Sequence, residues 1–329
     1  MTPSRIPDLE ALSAGLTHAL RGNRATQGPV TVLDRRPNAY ASTFPSEIVT
    51  FRLRDGRERH VLCKRASRQN HDDHGHRGGI AYEAGVYREL LRRLPVSAPR
   101  FFGTYVDSAT GETWLFIEYL EKAVGIEEAP VPATALGLAA RWIGGFHALA
   151  EVRVLHPSTR SLHTYDDEYY LRWVRRTSLL AGDWHRRLGW LAALCERMEG
   201  FVRVLSAWPT TVIHGEYVPH NVLVRSDNVY PIDWESAAIA FGEIDLASLV
   251  DKWPPEVERA CEREYQRARW PGGEPSDFAR RLDTARLYWD FRWLGDRPEW
   301  TASEKVGARF EHLRATAERL GLVEKPGTK

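Results

Sequence analysis

Apolar and polar residues alternate along EIVTFRLRDGRERHVLCK, residues 47 to 64, on both sides of the pair Asp55-Gly56. A period of two around an Asp-Gly turn predicts a β-hairpin. Upstream, PDLEALSAGLTHAL carries helical spacing and runs out in the Gly- and Pro-containing RGNRATQGPV, which predicts a helix and its exit. Downstream the period changes again. In IAYEAGVYRELLRRL, Ile80, Ala84, Tyr87, Leu91 and Leu94 recur at helical spacing and predict an amphipathic helix. RFFGTYVD and TWLFIEYLE, joined by the turn-rich SATGE, read as two more strands.

From KAVGIEEAPVPAT onward a Pro-containing linker gives way to long helical patterns at ATALGLAARWIGGFHALA, DEYYLRWVRRTSLLAGDWHRRLGWLAALCERMEGFVRVL and FARRLDTARLYWDFRWLG. Between them lies a short β-rich island, TVIHGEYVPHNVLVRSDNVYPIDWE. The expected fold class is α+β: a small antiparallel-sheet lobe over residues 1–120 and a larger helical lobe over 121–329 with an inserted hairpin, not a doubly wound sheet. No internal repeat or low-complexity segment interrupts this pattern.

Composition narrows the partners. A formal net charge of only +1 on 329 residues gives no polyelectrolyte signature for nucleic acid or an anionic membrane. The first 120 residues carry 17 basic and 13 acidic side chains and the remainder 28 and 31, so the helical part suits a cationic acceptor only weakly. Cys63, Cys195 and Cys261 have neither zinc nor redox spacing, which fits a reducing cytoplasm. The longest apolar tract, Ala135 to Ala150, is broken by Arg141 and falls short of the ~20 residues that span a bilayer. A soluble, cytoplasmic protein is expected. Of the 45 basic residues six are lysines, and Lys64 is the only lysine among the first 121. In a chain that uses arginine by default, that position invites a chemical reason.

The candidate chemistry lies in the β-rich island. Transfer of a phosphoryl group from ATP needs phosphates and magnesium held and a hydroxyl oriented, and magnesium takes hard oxygen ligands from one or two protein groups. Asn221 leads into VLVR, Ser226-Asp227-Asn228 makes a turn, and Val229 to Ile232 returns to Asp233, so Asn221 and Asp233 belong at adjacent ends of one hairpin. Glu216, five residues before Asn221, is a carboxylate able to orient or deprotonate an acceptor hydroxyl.

The order His214-Gly215-Glu216, four residues, Asn221, then Ile232-Asp233 resembles the aminoglycoside phosphotransferase and choline kinase branch of the protein-kinase-like fold. The likeness runs through residues 30 to 250 in element order. It implies a two-lobed kinase that uses ATP and Mg2+. It also implies Lys64 as the phosphate-binding lysine and Glu83 as the helix glutamate that holds it. Glu83 shares a helix edge with Tyr87 and Leu90, whereas Glu89 lies among Arg88, Arg92 and Arg93. TWLFIEYLE resembles the hinge, which would bind adenine through the backbone of Glu118 and Leu120. Asn221 and Asp233 would hold the metal.

Two departures stand out. No GxGxxG loop is present, so the phosphate cover falls to NAYASTF, and Glu216 stands where the family has an aspartate. A glutamate reaches about 1.5 Å further, a displacement large enough to matter to catalysis unless the surroundings compensate. Because the lysine and both metal ligands are retained, an active enzyme with an adjusted acceptor site is favoured.

Each residue has an ordinary alternative: a plain ion pair for Lys64 and Glu83, a turn for Asp233, a loop cap for Asn221. Their joint order on the right elements decides between them. His214 is expected to brace the loop, His147 to be a satisfied core histidine and Asp245 to cap a helix. His71, Asp72, Asp73, His74 and His76 invite a metal reading, but they fall in a polar, glycine-flanked loop, which weighs against a specific metal there. Part of the run Tyr288, Trp289, Phe291 and Trp293 is core, and part would line an acceptor pocket. The expected function is an ATP-dependent phosphotransferase acting on a hydroxyl of a small molecule, such as an antibiotic, a natural product or an amino alcohol. The alternative is a non-catalytic protein that binds nucleotide or metabolite in the same cleft. Protein kinase activity ranks behind both, because no activation segment ends in Ala-Pro-Glu.

Overall fold

A computed structural model describes residues 7–21, 28–39, 44–65, 76–108, 110–301 and 306–324. In chain order, α1 (Leu9–Leu20) precedes β1 (Thr31–Pro37), β2 (Ser46–Arg52) and β3 (Glu58–Arg65), followed by α2 (Gly79–Glu89), β4 (Phe101–Val106), β5 (Thr113–Glu118) and β6 (Val124–Gly125). Next come α3 (Pro132–Glu151), β7 (His163–Thr164), α4 (Asp167–Ala181), α5 (Trp184–Arg187) and α6 (Gly189–Ala207). The β-rich island becomes β8 (Thr211–Ile213), β9 (Val222–Arg225) and β10 (Asn228–Pro231), and β11 (Ala238–Ala240) follows it. The chain ends in α7 (Glu243–Val250), α8 (Pro255–Arg269), α9 (Phe278–Asp296), α10 (Pro298–Thr301) and α11 (Val306–Arg319). These elements form two compact units, Met1–Gly125 with Asn221–Ser236, and Ile126–His220 with Ala237–Lys329.

In the first unit five antiparallel strands take the order β1-β2-β3-β5-β4. The hairpin closes at Asp55-Gly56 as its alternation predicts, with Arg52 opposite Glu58 and Ser46 opposite Lys64. Val61 and Cys63 join Leu12, Leu16, Phe51 and Trp114 in the core beneath α1. Successive strand residues point to opposite faces, so Lys64 emerges on the other side of the sheet. The helix predicted over 80–94 is α2, which gives way before Pro95 to a 3-10 turn at Leu91–Arg93. The β9–β10 hairpin packs with this unit: β6 pairs with β9, Val124 opposite Val224 and Gly125 opposite Leu223.

In the second unit the long helical pattern over 167–205 is broken at Gly182, with φ 47°, and Leu188, giving three helices. α9 is the central helix, packed against α4, α7 and α11, which explains why its aromatic residues occupy several sides. β11 pairs with β7 and β8 in a small sheet. Among the described residues no helix is long and apolar enough to cross a membrane.

Candidate active site

Lys64 is the penultimate residue of β3 and has a buried side chain with two carboxylate partners. Its Nζ donates to Glu83 Oε1 at 2.9 Å and Oε2 at 3.0 Å, and to Asp233 Oδ1 at 2.6 Å. Glu83 is fully buried on α2, whose start is tied to the hairpin exit by the Gly78 N–H donating to the Glu235 carbonyl at 2.7 Å. Burial opposes the Lys64 ammonium, but Asp233 and Glu83 outweigh it and hold its pKa above the ordinary lysine value. Glu83 is pushed upward by burial while Lys64 pulls it down. The lysine therefore stays charged and is fixed as a bridge between α2 and the hairpin. Glu89, by contrast, pairs with Arg88 and Arg93 on the partly exposed side.

The hairpin register places the two expected metal ligands as the sequence predicts. Val222 is opposite Pro231, and the Ile232 N–H donates to the Asn221 carbonyl at 2.9 Å, so Asn221 and Asp233 flank the open end. Asp233 has φ 69°, a left-handed backbone that is uncommon for a residue with a side chain. Its Oδ1 is engaged by Lys64, while Oδ2 takes no protein donor among the described residues. A hard oxygen at a hairpin end, beside an amide, fits a magnesium ion completed by phosphate and water. Glu118 closes β5: its N–H donates to the Arg100 carbonyl at 2.8 Å, and its carboxylate accepts from the Arg100 N–H at 3.2 Å. The buried Leu120 lies two residues on, where its carbonyl accepts from Ala123 N–H at 3.2 Å. The expected phosphate cover lies largely outside the described residues, as does the His-rich loop apart from His76.

Glu216 belongs to the second unit, in the loop after β8. Its Oε1 accepts from Nη2 of Arg292, on α9, at 2.5 Å. Nη1 of the same guanidinium donates to the Gly215 carbonyl. Burial works against the Arg292 charge, yet the Glu216 carboxylate holds its pKa above the ordinary arginine value. Gly215, with φ 83°, makes the left-handed turn that this loop requires.

The same loop is anchored from below by Asp245. The expectation that Asp245 caps a helix is not met: Gly242 is the N-cap of α7, and Asp245 lies fully buried inside the helix. Its carboxylate accepts from the N–H groups of His214 at 2.6 Å and Gly215 at 2.9 Å, and contacts His147 Nε2 at 3.1 Å. A helix terminus would not need these partners; a buried loop does. His147 is the satisfied core histidine expected, with Nδ1 3.1 Å from the Tyr265 hydroxyl. His214 braces the turn by accepting the Glu216 N–H at 3.3 Å.

α9 connects this loop to a cavity of about 380 Å³ in the second unit. The Arg292 guanidinium lies 5.1 Å from the centre of the Trp289 ring, and Trp289 and Trp293 both line the cavity. Sequence reasoning missed Arg292 and the true role of Asp245. An arginine inside the aromatic run of α9 was the one available signal for the first.

An antiparallel sheet carrying a lysine–glutamate–aspartate bridge, with a hairpin and a helical unit after it, defines a protein-kinase-like phosphotransferase fold. The solved structures agree. A putative aminoglycoside phosphotransferase from Ralstonia eutropha superposes with a TM-score of 0.62 at 15% identity, covering 96% of this chain and 97% of that one. Choline kinase from Cryptosporidium parvum gives a TM-score of 0.60 at 14% identity, covering 96% and 98%. The streptomycin–ATP–APH(2″)-IIa ternary complex gives 0.57 at 14% identity, covering 96% and 99%. No curated protein sequence matches the chain. The profile of the phosphotransferase enzyme family matches residues 46–318, and the chain belongs to that family.

Proposed function

We propose that the chain is an ATP-dependent kinase that phosphorylates a hydroxyl group of a small molecule. The observation that carries this reading is the Lys64 bridge, a buried ammonium held between Glu83 and Asp233. A buried charge is costly to maintain, and a lysine fixed between two carboxylates at a sheet face is suited to meeting the phosphates of a nucleotide. The ATP complex among the structural neighbours supports the choice of nucleotide.

Lys64 would hold the phosphates, Glu83 would fix Lys64, and the backbone of Glu118 and Leu120 would take adenine. Asn221 and Asp233 would hold magnesium, which neutralises charge on the transferring phosphoryl group when bound. Glu216 would orient the acceptor hydroxyl. Its carboxylate is held in place by Arg292, which suits orientation more than proton abstraction; a loose transition state asks little of a base. Arg292 also offers the compensation that the longer side chain needs, because it draws the extra methylene's reach toward α9 instead of leaving it in the acceptor space.

Magnesium-dependent ATP turnover by the wild type and Asp233→Ala, with and without hydroxylated antibiotics and amino alcohols, tests the reading. The expected result is acceptor-stimulated turnover that the substitution lowers by about 10³ or more, while circular dichroism shows that the variant, though less stable for want of one Lys64 partner, is still folded. Turnover by Asp233→Ala at the wild-type rate would defeat the metal assignment. Tight nucleotide binding without turnover would favour the binding-protein alternative.

A further inference from the structure

The cavity beside α9 has a charge pattern that a cation-binding site would not have. Its walls are apolar and aromatic around Trp289 and Trp293, and about 380 Å³ is room for a ring-bearing ligand. Two carboxylates line it, Asp251 and Glu258. Both are already neutralised. Arg309 grips Asp251 through two nitrogens, at 3.0 and 2.6 Å, and Arg286 reaches Glu258 at 3.1 Å. A carboxylate held in this way offers little to an incoming ammonium group, which would have to displace a guanidinium from a partly buried pair.

The two arginines are matched in turn. Of the three cations that line the cavity, Arg286 also reaches Glu262 at 2.8 Å and Arg309 also reaches Asp290 at 2.8 Å, which leaves Lys252. Lys252 is exposed, with its Nζ 5.4 Å from the centre of the Trp293 ring, and it has no carboxylate partner among the described residues. It is also the one lysine between Lys122 and Lys305, in a chain that otherwise writes arginine there. His312, at the same wall, is likewise taken up by a carboxylate, bonding Asp290 at 2.8 Å.

We propose that this cavity receives the acceptor, and that the acceptor is an apolar, ring-bearing molecule with an acidic group that meets Lys252, not a polycation. Calling the ligand the acceptor rests on the phosphotransferase reading above, and on Trp289 being shared between the cavity and the arginine that holds Glu216. The ligand's chemistry rests on the cavity alone.

Two probes of similar size and opposite charge test it on the full chain without nucleotide: 8-anilinonaphthalene-1-sulfonate and 9-aminoacridine, titrated at low ionic strength. The sulfonate should bind about tenfold more tightly than the acridinium. Lys252→Glu, a change at an exposed side chain, should weaken the sulfonate about tenfold and tighten the acridinium, and Trp293→Ala should weaken both. Equal binding, a preference for the cation, or a Lys252→Glu variant that changes neither affinity would overturn the proposal. Because no nucleotide is present, a chain that never turns over ATP would sink the kinase reading and leave this result standing. Conversely, turnover stimulated by a polycationic aminoglycoside would sustain the kinase reading and overturn the assignment of charge.

Discussion

At the scale of the residue, the substitution that first sets this chain apart from its family, Glu216, has a physical partner. A glutamate in place of an aspartate reads from sequence as a defect or an adjustment, and nothing near it in the chain decides which. Arg292 lies 76 residues away, inside a helix whose other side chains are largely buried, and is itself 4% exposed. An aspartate would fall about 1.5 Å short of that guanidinium, leaving a buried charge without its main partner. Glu216→Asp, although it restores the family's residue, should therefore lower turnover, by about tenfold or more, and not raise it. Arg292→Met should lower kcat by a similar factor with little change in the KM for ATP, and Arg292→Lys should recover part of the loss. Steady-state kinetics on the three variants check this. A rise in turnover on Glu216→Asp would mean that the pair with Arg292 does not hold the catalytic geometry.

At the scale of the element, much of the fold was legible because it is written in local periods. The hairpin at Asp55-Gly56, α1, α2, α3 and α9 all stand where alternation or helical spacing put them. The ends of the β9–β10 hairpin were also legible, since a turn between two short strands brings Asn221 and Asp233 together by itself. What was not legible is what depends on distant partners. Asp245 looked like a cap because an aspartate beside an apolar run usually is one, and its real partners are 30 and 31 residues upstream. The contact of α3 with α8 is of this kind. A Cβ on Gly144 would stand 2.6 Å from the Tyr265 carbonyl oxygen and 3.2 Å from Ala268 Cβ. Tyr265 also reaches His147, one turn along α3, and through it Asp245 and the loop that carries Glu216. Gly144→Ala gains about 1 kcal/mol of helix propensity, but forcing a methyl group into backbone costs about 1–3 kcal/mol. The expected outcome is a net loss of stability by urea denaturation, with turnover falling more than the unfolded fraction explains. A variant more stable than wild type would show that α8 shifts freely and does not support the loop.

At the scale of the whole molecule, two histidines of the second unit give stability opposite dependences on pH. His147 is fully buried, and burial lowers its pKa below the ordinary 6.5, although the hydrogen bond and charge of Asp245 pull upward. The native state thus takes up this proton at a lower pH than the unfolded chain. The stability it contributes is complete above about pH 6.5 and is lost as pH falls toward the native value, with a slope approaching about 1.4 kcal/mol per pH unit. His312 runs the other way. The hydrogen bond to Asp290 raises its pKa against the opposing effect of burial, so its contribution is complete below about pH 6.5 and is lost as pH rises through the native value. Its side chain is 45% exposed, and solvent screening makes this the weaker of the two effects. Unfolding midpoints followed from pH 8 down to about 5.5 should therefore drop on the acid side, on top of the general titration of carboxylates. His147→Asn, though less stable at neutral pH, should show a shallower acid slope than wild type, and His312→Asn a shallower slope on the alkaline side. An acid slope unchanged by His147→Asn would mean that the imidazole is already charged in the native state. Asp245 would then be holding a cation, not a neutral ring, beneath the loop of Glu216.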